Sequence, residues 1–396
     1  MRAYAADIAN NSIGSNIAAN RFPCEFEGDY GVTSMLLDAI AWGSLGAPMR
    51  VVFAAGNERG YGSCGTGYYT IAPPAGAKNL IAVGAVNSDD GTMTYFSGWG
   101  PTDDGRLKPD ICAPGCQAGG DRGVTSTVCG DAYDVYCGTS MATPTVTGLL
   151  SLLLQDFRAA HPDAPLPRNA TLKALLAHNA ADPGNPGPDY QFGYGSVRGQ
   201  ETLDFMRAGS FREGSIEQDA SIKFFVRVDS GAPSLQATLA CDDLPGALNT
   251  DTQLVNDLDL VVIGPDGAAH FPWTLNPSHP ADPAVRTQPD RLNNIEQVLV
   301  ENPEPGTWTV RVTGTSIEFD APTYRCDTHA GFTVRDCDLN LDPAGVETAT
   351  VRITSSIDPD GEIIQLTEVS PDSGIFTGTI ALRPEAALGA VRVSDG

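Results

Sequence analysis

Histidine is absent from this 396-residue sequence until His161. A histidine-based zinc site and a general base of the usual kind are therefore excluded from the region before it. Basic residues are scarce as well, with 24 against 49 acidic residues and a formal charge of -25. Such a surface repels phosphate backbones and anionic membranes, so we predict neither a nucleic acid nor a membrane as a partner. No apolar run in the sequence is long enough to span a membrane.

Aromatic residues make up only 7% of the chain, whereas Gly and Pro number 43 and 29. This composition argues against long helical bundles and indicates many turns and tightly bent connections. A hydrophobic fraction of 41% argues against disorder. At 396 residues the chain exceeds one hydrophobic core of usual size, so we expect two or three domains.

The nine cysteines are irregularly spaced. Because they do not form the close pairs of a zinc site, we predict disulfides made in an oxidising compartment. The odd number leaves at least one thiol free or paired between chains, and many pairings are compatible with the sequence. The cysteines are Cys24, Cys64, Cys112, Cys116, Cys129, Cys137, Cys241, Cys326 and Cys337.

Strand and helix patterns alternate from Asn10 to about residue 205, which predicts an α/β domain over residues 1–207. The short apolar runs MRVVFAA (49–55) and LIAVGAV (80–86) are typical of parallel strands that are buried on both faces. We therefore expect a parallel sheet with helices on both sides, a three-layer architecture.

Two helices are predicted beside these strands. TSMLLDAIAWGSLG (33–46) should form a helix that is capped by Thr33 or Ser34 and ends near Gly43. TLKALLAHNAA (171–181) should form the last helix of this region.

The pattern changes to short alternating strands after residue 208. Period-two alternation bounded by Pro-Asp-Gly and Glu-Pro-Gly turns predicts an antiparallel β-sandwich or jelly roll over residues 208–331. A partial immunoglobulin-like β module is expected over residues 332–396. The sandwich segments are SIKFFVRV, LQATLAC, DLDLVVIGPDG and IEQVLVENPEPGTWTVRV.

Ser140 lies where a loop leads into a predicted helix that ends before His161. Pro144 falls in the first turn of this helix, where its missing N–H breaks no hydrogen bond. A hydroxyl at this place is either an ordinary helix cap or a nucleophile with free backbone N–H groups beside it. The nucleophile elbow of α/β-hydrolases is excluded, because that motif needs Gly where this chain has Ala142.

Three segments decide between these alternatives, because they resemble one family. GTSMATP (138–144) is very similar to the active-serine motif of the subtilisin-like serine proteases, the subtilases. VVFAAGN (51–57) resembles their buried strand that ends in the oxyanion-hole Asn, and FSGWGPTDDGRLKPDICAPG (96–115) resembles the segment that follows it. The resemblance covers about the first 200 residues. It implies a subtilisin-like fold and a serine endopeptidase that acts through an acyl-enzyme, with Ser140 as the nucleophile.

The same resemblance implies roles for residues around the serine. Asn57 would donate to the oxyanion, although a turn residue after Gly56 is the alternative explanation for its type. Loss of one side-chain donor of this kind costs about 3 to 4 kcal/mol, a magnitude measured on a member of this family. ANNSIGS (9–15) resembles the substrate-binding strand. The residues that would line the two sides of the specificity pocket are Ser12, Ile13 and Gly14, and Ala54, Ala55 and Gly56.

The Asp and His of a subtilase triad precede the substrate-binding strand, but that strand opens this sequence. His161 would lie roughly 30 Å from Ser140 along a helix, and the later histidines are expected to be surface or structural residues. MRAYAADIANNSIGS lacks the apolar run of an export signal. We therefore expect an N-terminally truncated protease that is nearly inactive as it stands, with evolved inactivity as the alternative.

LVNDLDLVVIGPDG and NNIEQVLVENPEPGTWTVRV resemble the jelly-roll domain that follows the catalytic domain in some bacterial subtilases. Asp257 and Asp259, with Asn256 nearby, are candidate calcium ligands, and a solvent-facing strand is the alternative. DCDLNLDPAGVE (336–347) superficially follows an EF-hand loop, but Leu341 replaces the required Gly and strand patterns flank it, so we reject that assignment. No cofactor is needed for the chemistry, and calcium is a candidate structural ion.

The sequence thus predicts a secreted serine endopeptidase that acts on proteins or peptides, with its oligomeric state left open. Small residues at Gly14, Ala54 and Gly56 indicate an open pocket for large apolar side chains. The alternative is a non-enzymatic secreted binding or adhesive protein built on a decayed protease scaffold. Joint retention of Gly138, Thr139, Ser140 and Asn57 favours the protease.

Overall fold

The structure is a computed structural model, and it divides into two compact units, Met1–Ser316 and Ile317–Gly396. Domain boundaries at 207/208 and 331/332 stay predictions. The described residues are 6–248, 250, 252–315, 329–335, 346, 348–355, 358–368, 375–383 and 390–392.

A four-stranded parallel sheet forms the centre of the first unit. Its strands lie in chain order, β1 (Ile8–Asn11), β2 (Arg50–Ala54), β3 (Ile81–Asn87) and β4 (Ile111–Cys116). The predicted strands at 49–55 and 80–86 are confirmed as β2 and β3. Their apolar runs are continuous because both faces of the sheet are covered.

Six helices accompany this sheet among the described residues: α1 (Ile17–Asn20), α2 (Val32–Trp42), α3 (Glu58–Tyr61), α4 (Thr139–Ala160), α5 (Asn169–Asn179) and α6 (Gly199–Arg207). Val52 and its neighbours on one face pack with α4 and α5. Val51 and Phe53 on the other face pack with α2. The predicted α/β fold with three layers is therefore confirmed. None of the described helices is both long and apolar enough to cross a membrane.

Two helix predictions need correction. Gly31, not Thr33 or Ser34, is the N-cap of α2, and no side chain caps this helix. Thr33 and Ser34 already lie inside the first turn. The helix over 171–181 is not the last of the region, because α6 follows it.

Disulfides are present as predicted. Cys24 pairs with Cys64, and Cys116 pairs with Cys137. The second bridge closes the base of an antiparallel hairpin that is formed by β5 (Val124–Val128) and β6 (Ala132–Tyr136). Among the described residues, the free thiols are Cys112, Cys129 and Cys241.

An antiparallel β-sandwich completes the first unit. Its larger sheet has the order β10-β9-β12-β7, and its smaller sheet pairs β11 with β8. Leu260, Val262, Val298 and Trp308 are buried together between the two sheets. The strands are β7 (Ser221–Val228), β8 (Ser234–Ala240), β9 (Leu258–Ile263), β10 (Ala269–His270), β11 (Ile295–Glu301) and β12 (Gly306–Gly314).

The second unit contains a β-sheet of its own, with the path β13-β16-β15-β14 and β17 paired to β16. Its strands are β13 (His329–Arg335), β14 (Thr348–Ser355), β15 (Asp358–Glu368), β16 (Ile375–Arg383) and β17 (Ala390–Arg392). Apart from Val346, the EF-hand-like segment 336–347 lies outside the described residues.

Candidate active site

Ser140 is the second residue of α4, directly after the N-cap Gly138 and Thr139. Its backbone N–H is one of the first four of the helix, which have no acceptor within the helix. The approach to this helix is fixed by Gly138, whose N–H donates to the carbonyl of Gly115 at 2.9 Å. The Cys116–Cys137 disulfide anchors the residues immediately next to both glycines. The fold therefore holds the Ser140 hydroxyl at the positive end of a 22-residue helix.

Asn57 lies three residues beyond β2 and is oriented by the start of α4. Its Oδ1 accepts two hydrogen bonds from Thr139, from the backbone N–H at 2.9 Å and from Oγ1 at 3.0 Å. These contacts turn Oδ1 of the amide towards α4, so Nδ2 is available as a hydrogen-bond donor. A Cβ at Gly138 would lie 3.6 Å from Asn57 Nδ2 and 3.5 Å from Ser140 N, so glycine keeps the space between these two donors open.

Two convergent donors beside a hydroxyl are what acyl transfer needs. The Asn57 amide and the Ser140 N–H can stabilise the negative oxygen that develops when a hydroxyl attacks a carbonyl. The Ser140 Oγ itself donates to the Ser12 carbonyl at 3.3 Å, and the Ser12 hydroxyl donates to the Ser140 carbonyl at 2.8 Å. Ser140 is therefore tied to the predicted substrate-binding segment.

The two predicted pocket segments lie at the same edge of the sheet. β1 and β2 are parallel with Asn11 opposite Phe53, so Ser12–Gly14 and Ala54–Gly56 leave neighbouring strands in the same direction. Ile13 and Gly14 are exposed, Ser12 is half-buried, and Ala54, Ala55 and Gly56 are buried. Their role in binding substrate stays a prediction.

Gly56 occupies a place that only glycine fits. Its φ is +106°, and an added Cβ would lie 2.4 Å from the Cβ of Ala72. The Ala72 N–H donates to the Ala55 carbonyl at 2.9 Å and the Gly98 N–H donates to the Gly56 carbonyl at 2.9 Å. These bonds hold the segment that leads into Asn57.

The histidines of residues 6–315 make contacts of their own. His161 is the C-cap of α4, and its ring lies tilted against that of Phe157 with the centroids 4.7 Å apart. His178 Nδ1 lies 3.0 Å from Thr238 Oγ1, and burial lowers the pKa of this imidazole to about 4. The other two stand in the sandwich, His270 against the Trp308 ring and His279 beside Asn276. None of these contacts brings an imidazole to Ser140.

Two buried carboxyl groups adjoin the Asn57 segment and were given no role from the sequence. Glu58 follows Asn57 directly, and burial together with Glu58 raises the pKa of Glu27 from 4.5 to about 7. The two residues are 31 positions apart, so only the folded chain brings them together. Thr139, which orients Asn57, was missed as a positioning residue although it stands in the quoted GTSMATP motif.

The described residues contain one group of carboxylates that can hold a metal ion, and it lies in the sandwich. One oxygen from each of Asp257, Asp259 and Glu296 lies within 4.8 Å of the others. Asn256 Nδ2 donates to Asp243 Oδ1 at 3.0 Å, and a role of Asn256 in ion binding stays a prediction. Glu296 is 37 residues beyond Asp259 and could not be assigned from spacing.

Ser140 and the Asn57 amide thus lie together on a parallel α/β scaffold, an arrangement compatible with a serine-protease site. A family model described as the subtilase family matches residues 2–195. This segment therefore belongs to the subtilase family of subtilisin-like serine proteases.

Curated relatives agree with this assignment. The chain is 37% identical over 131 residues to serine protease AprX of Bacillus subtilis, which covers 30% of this chain and 28% of the relative. It is 27% identical over 299 residues to the serine protease/ABC transporter B family protein tagB of Dictyostelium discoideum, which covers 58% of this chain and 16% of the relative. The chain thus spans less than a third of the length of either relative.

A solved structure of the patellamide maturation protease PatA is also similar. It is 24% identical with a TM-score of 0.39, and the match covers 52% of this chain and 65% of that chain.

Proposed function

We propose that this chain carries the nucleophile and the oxyanion donor of a secreted serine endopeptidase that cleaves proteins or peptides through an acyl-enzyme. In this proposal Ser140 Oγ attacks the carbonyl, and Asn57 Nδ2 and the Ser140 N–H bind the oxyanion. The observation that supports it most is the pair of hydrogen bonds from Thr139 to Asn57 Oδ1. A scaffold that merely supports other modules has no need to aim this amide beside a serine.

Within residues 6–315, no general base is hydrogen-bonded to the Ser140 hydroxyl. A serine hydroxyl is a weak nucleophile until a neighbouring group removes its proton. Its hydrogen-bond partner there is the Ser12 carbonyl, and a backbone carbonyl oxygen is too weakly basic to remove the proton. We therefore expect the 396-residue chain to be nearly inactive on peptides that do not supply a base of their own.

A peptide that carries its own imidazole tests the nucleophile directly. The purified chain should cleave fluorogenic peptides with His next to the scissile bond at least about 10²-fold faster than matched peptides with Gln, because the substrate then supplies general-base catalysis. Ser140→Ala should abolish this cleavage. Ser151→Ala, an exposed serine on the same helix, is the matched control and should leave it unchanged.

Asn57→Ala should lower the rate on the His-bearing peptide by about 10²–10³-fold while the peptide still binds. Cleavage that survives Ser140→Ala would contradict the proposal. Bound peptide that is never cleaved would favour the non-enzymatic binding protein instead.

Export to an oxidising compartment is the second part of the proposal. Two disulfides are present, Cys24–Cys64 and Cys116–Cys137, and such bridges persist outside the reducing cytosol. Thiol labelling of protein recovered from the culture medium and from the cell should find these four cysteines blocked only in the exported protein. Equal labelling of both fractions would contradict it.

A further inference from the structure

The carboxylate group of Asp257, Asp259 and Glu296 joins the two sheets of the sandwich. Asp257 and Asp259 stand at the start of β9 in the larger sheet, and Glu296 stands at the start of β11 in the smaller one. One oxygen of each lies within 4.8 Å of the others. Carboxylates at this separation repel each other when all are ionised, unless a positive charge lies among them.

Two oxygens of the group are buried without a hydrogen-bond donor in the described part of the chain. Glu296 is only 2% exposed, and its Oε2 accepts from the Leu260 N–H at 2.6 Å while its Oε1 has no partner. Asp257 Oδ1 is also buried and without a partner. A buried acceptor without a partner loses its hydration and gains nothing in return.

The guanidinium of Arg291 is a positively charged group that contacts the carboxylates. Its Nη1 donates to Asp257 Oδ2 at 2.5 Å and to Asp259 Oδ1 at 2.7 Å. The Arg291 side chain is 50% exposed, so it reaches the carboxylates from the solvent side. The guanidinium pairs with the two aspartates, and it leaves Glu296 Oε1 without a donor among the described residues.

We propose that Asp257, Asp259 and Glu296 form a binding site for a hard divalent cation of the calcium type, which displaces the Arg291 guanidinium. All three ligands are carboxylates, which suit calcium and not the softer transition metals. Calcium takes 6–8 oxygens in flexible geometry, so the two unpaired oxygens and the two now held by Arg291 can bind it, with water completing the shell. The bound ion joins β9 to β11 and thereby fixes the two sheets.

The test uses the full 396-residue chain and calcium chloride as the probe. Calorimetric titration should give one strong site, and the Tm should rise with calcium concentration relative to EDTA because the ion binds only the folded state. Glu296→Gln should weaken calcium binding at least about tenfold, since affinity depends on the number of charged ligands. Glu301→Gln, an exposed position on the same strand, is the matched control and should bind as wild type.

Arg291→Gln separates a cation site from a simple ion-pair cluster. If calcium displaces Arg291, this variant should be less stable in EDTA, should bind calcium more tightly than wild type, and should be rescued by it. If Arg291 is the permanent partner, the variant should be destabilised and calcium should not restore its Tm. That second result overturns the proposal, and so does a Tm rise that Glu296→Gln retains in full. Should Glu296→Gln fail to fold, Asp257→Asn provides the same comparison.

Discussion

Glu27 is a single residue that makes the stability of the fold depend on pH. It is 4% exposed, its Oε2 has no hydrogen-bond partner among the described residues, and its pKa is raised to about 7 by burial and by Glu58. Because the folded state holds this proton more tightly than the unfolded state, the stabilisation is complete below pH 4.5. It is lost as the pH rises through about 7.

Glu27→Gln should therefore flatten the decline in stability between pH 5 and pH 8. A pKa raised from 4.5 to about 7 corresponds to at most about 3 kcal/mol. Urea unfolding at each pH measures the free energy of unfolding. That of the variant should increase relative to wild type as the pH rises. Glu25→Gln, an exposed neighbour, should show the wild-type pH profile. A decline that persists in Glu27→Gln would assign the pH dependence to another group.

Among individual residues, only those within a short recognisable motif could be predicted from the sequence. Ser140 and Asn57 were predicted because each stands in a short segment whose residue types resemble a known family. Glu27 and Glu58 belong to separate segments, as do Asp259 and Glu296, and no local pattern connects them. Pairs of this kind need the fold.

Elements were predictable where their pattern is strong. The segment 221–228 coincides with β7, and the end of α2 at Gly43 follows from a glycine in the left-handed region with φ 105°. The helix α6 was missed because it has nine residues, begins with Gly199, and buries only Thr202 and Met206. A helix this short offers few turns from which its period can be recognised.

The helix α4 carries the nucleophile, and its buried face holds it in place. Leu153 is fully buried against the sheet, whereas Leu152 is 62% exposed on the same helix. Leu153→Ala should destabilise the chain by about 2–5 kcal/mol through lost burial and a cavity. Leu152→Ala should change stability by about 0.5 kcal/mol or less. Thermal unfolding of both variants makes the comparison, and equal losses would mean that α4 is packed differently.

Across the first unit, a buried ion pair connects the sandwich to the α/β sheet. Lys78 Nζ lies 2.5 Å from Asp243 Oδ2, and both side chains are 0% exposed. Lys78 also donates to the Leu244 and Gln253 carbonyls at 2.6 Å, and Asp243 accepts from the Val255 N–H at 2.9 Å. Lys78 thereby ties the segment before β3 to the loops around β9, so the sandwich and the sheet share one polar core.

This connection predicts that the two parts unfold together. Asp243→Asn should cost about 3–5 kcal/mol, because Lys78 is left as a buried charge without its partner. Asp229→Asn removes the acidic partner of an exposed pair with Arg227 at 3.8 Å, and it should cost about 0.5 kcal/mol or less. Urea unfolding should be followed by tryptophan fluorescence and by circular dichroism, with both midpoints of Asp243→Asn shifting equally. Separate midpoints for the two probes, or equal costs for the two variants, would mean that the sandwich folds independently of the sheet that carries Ser140.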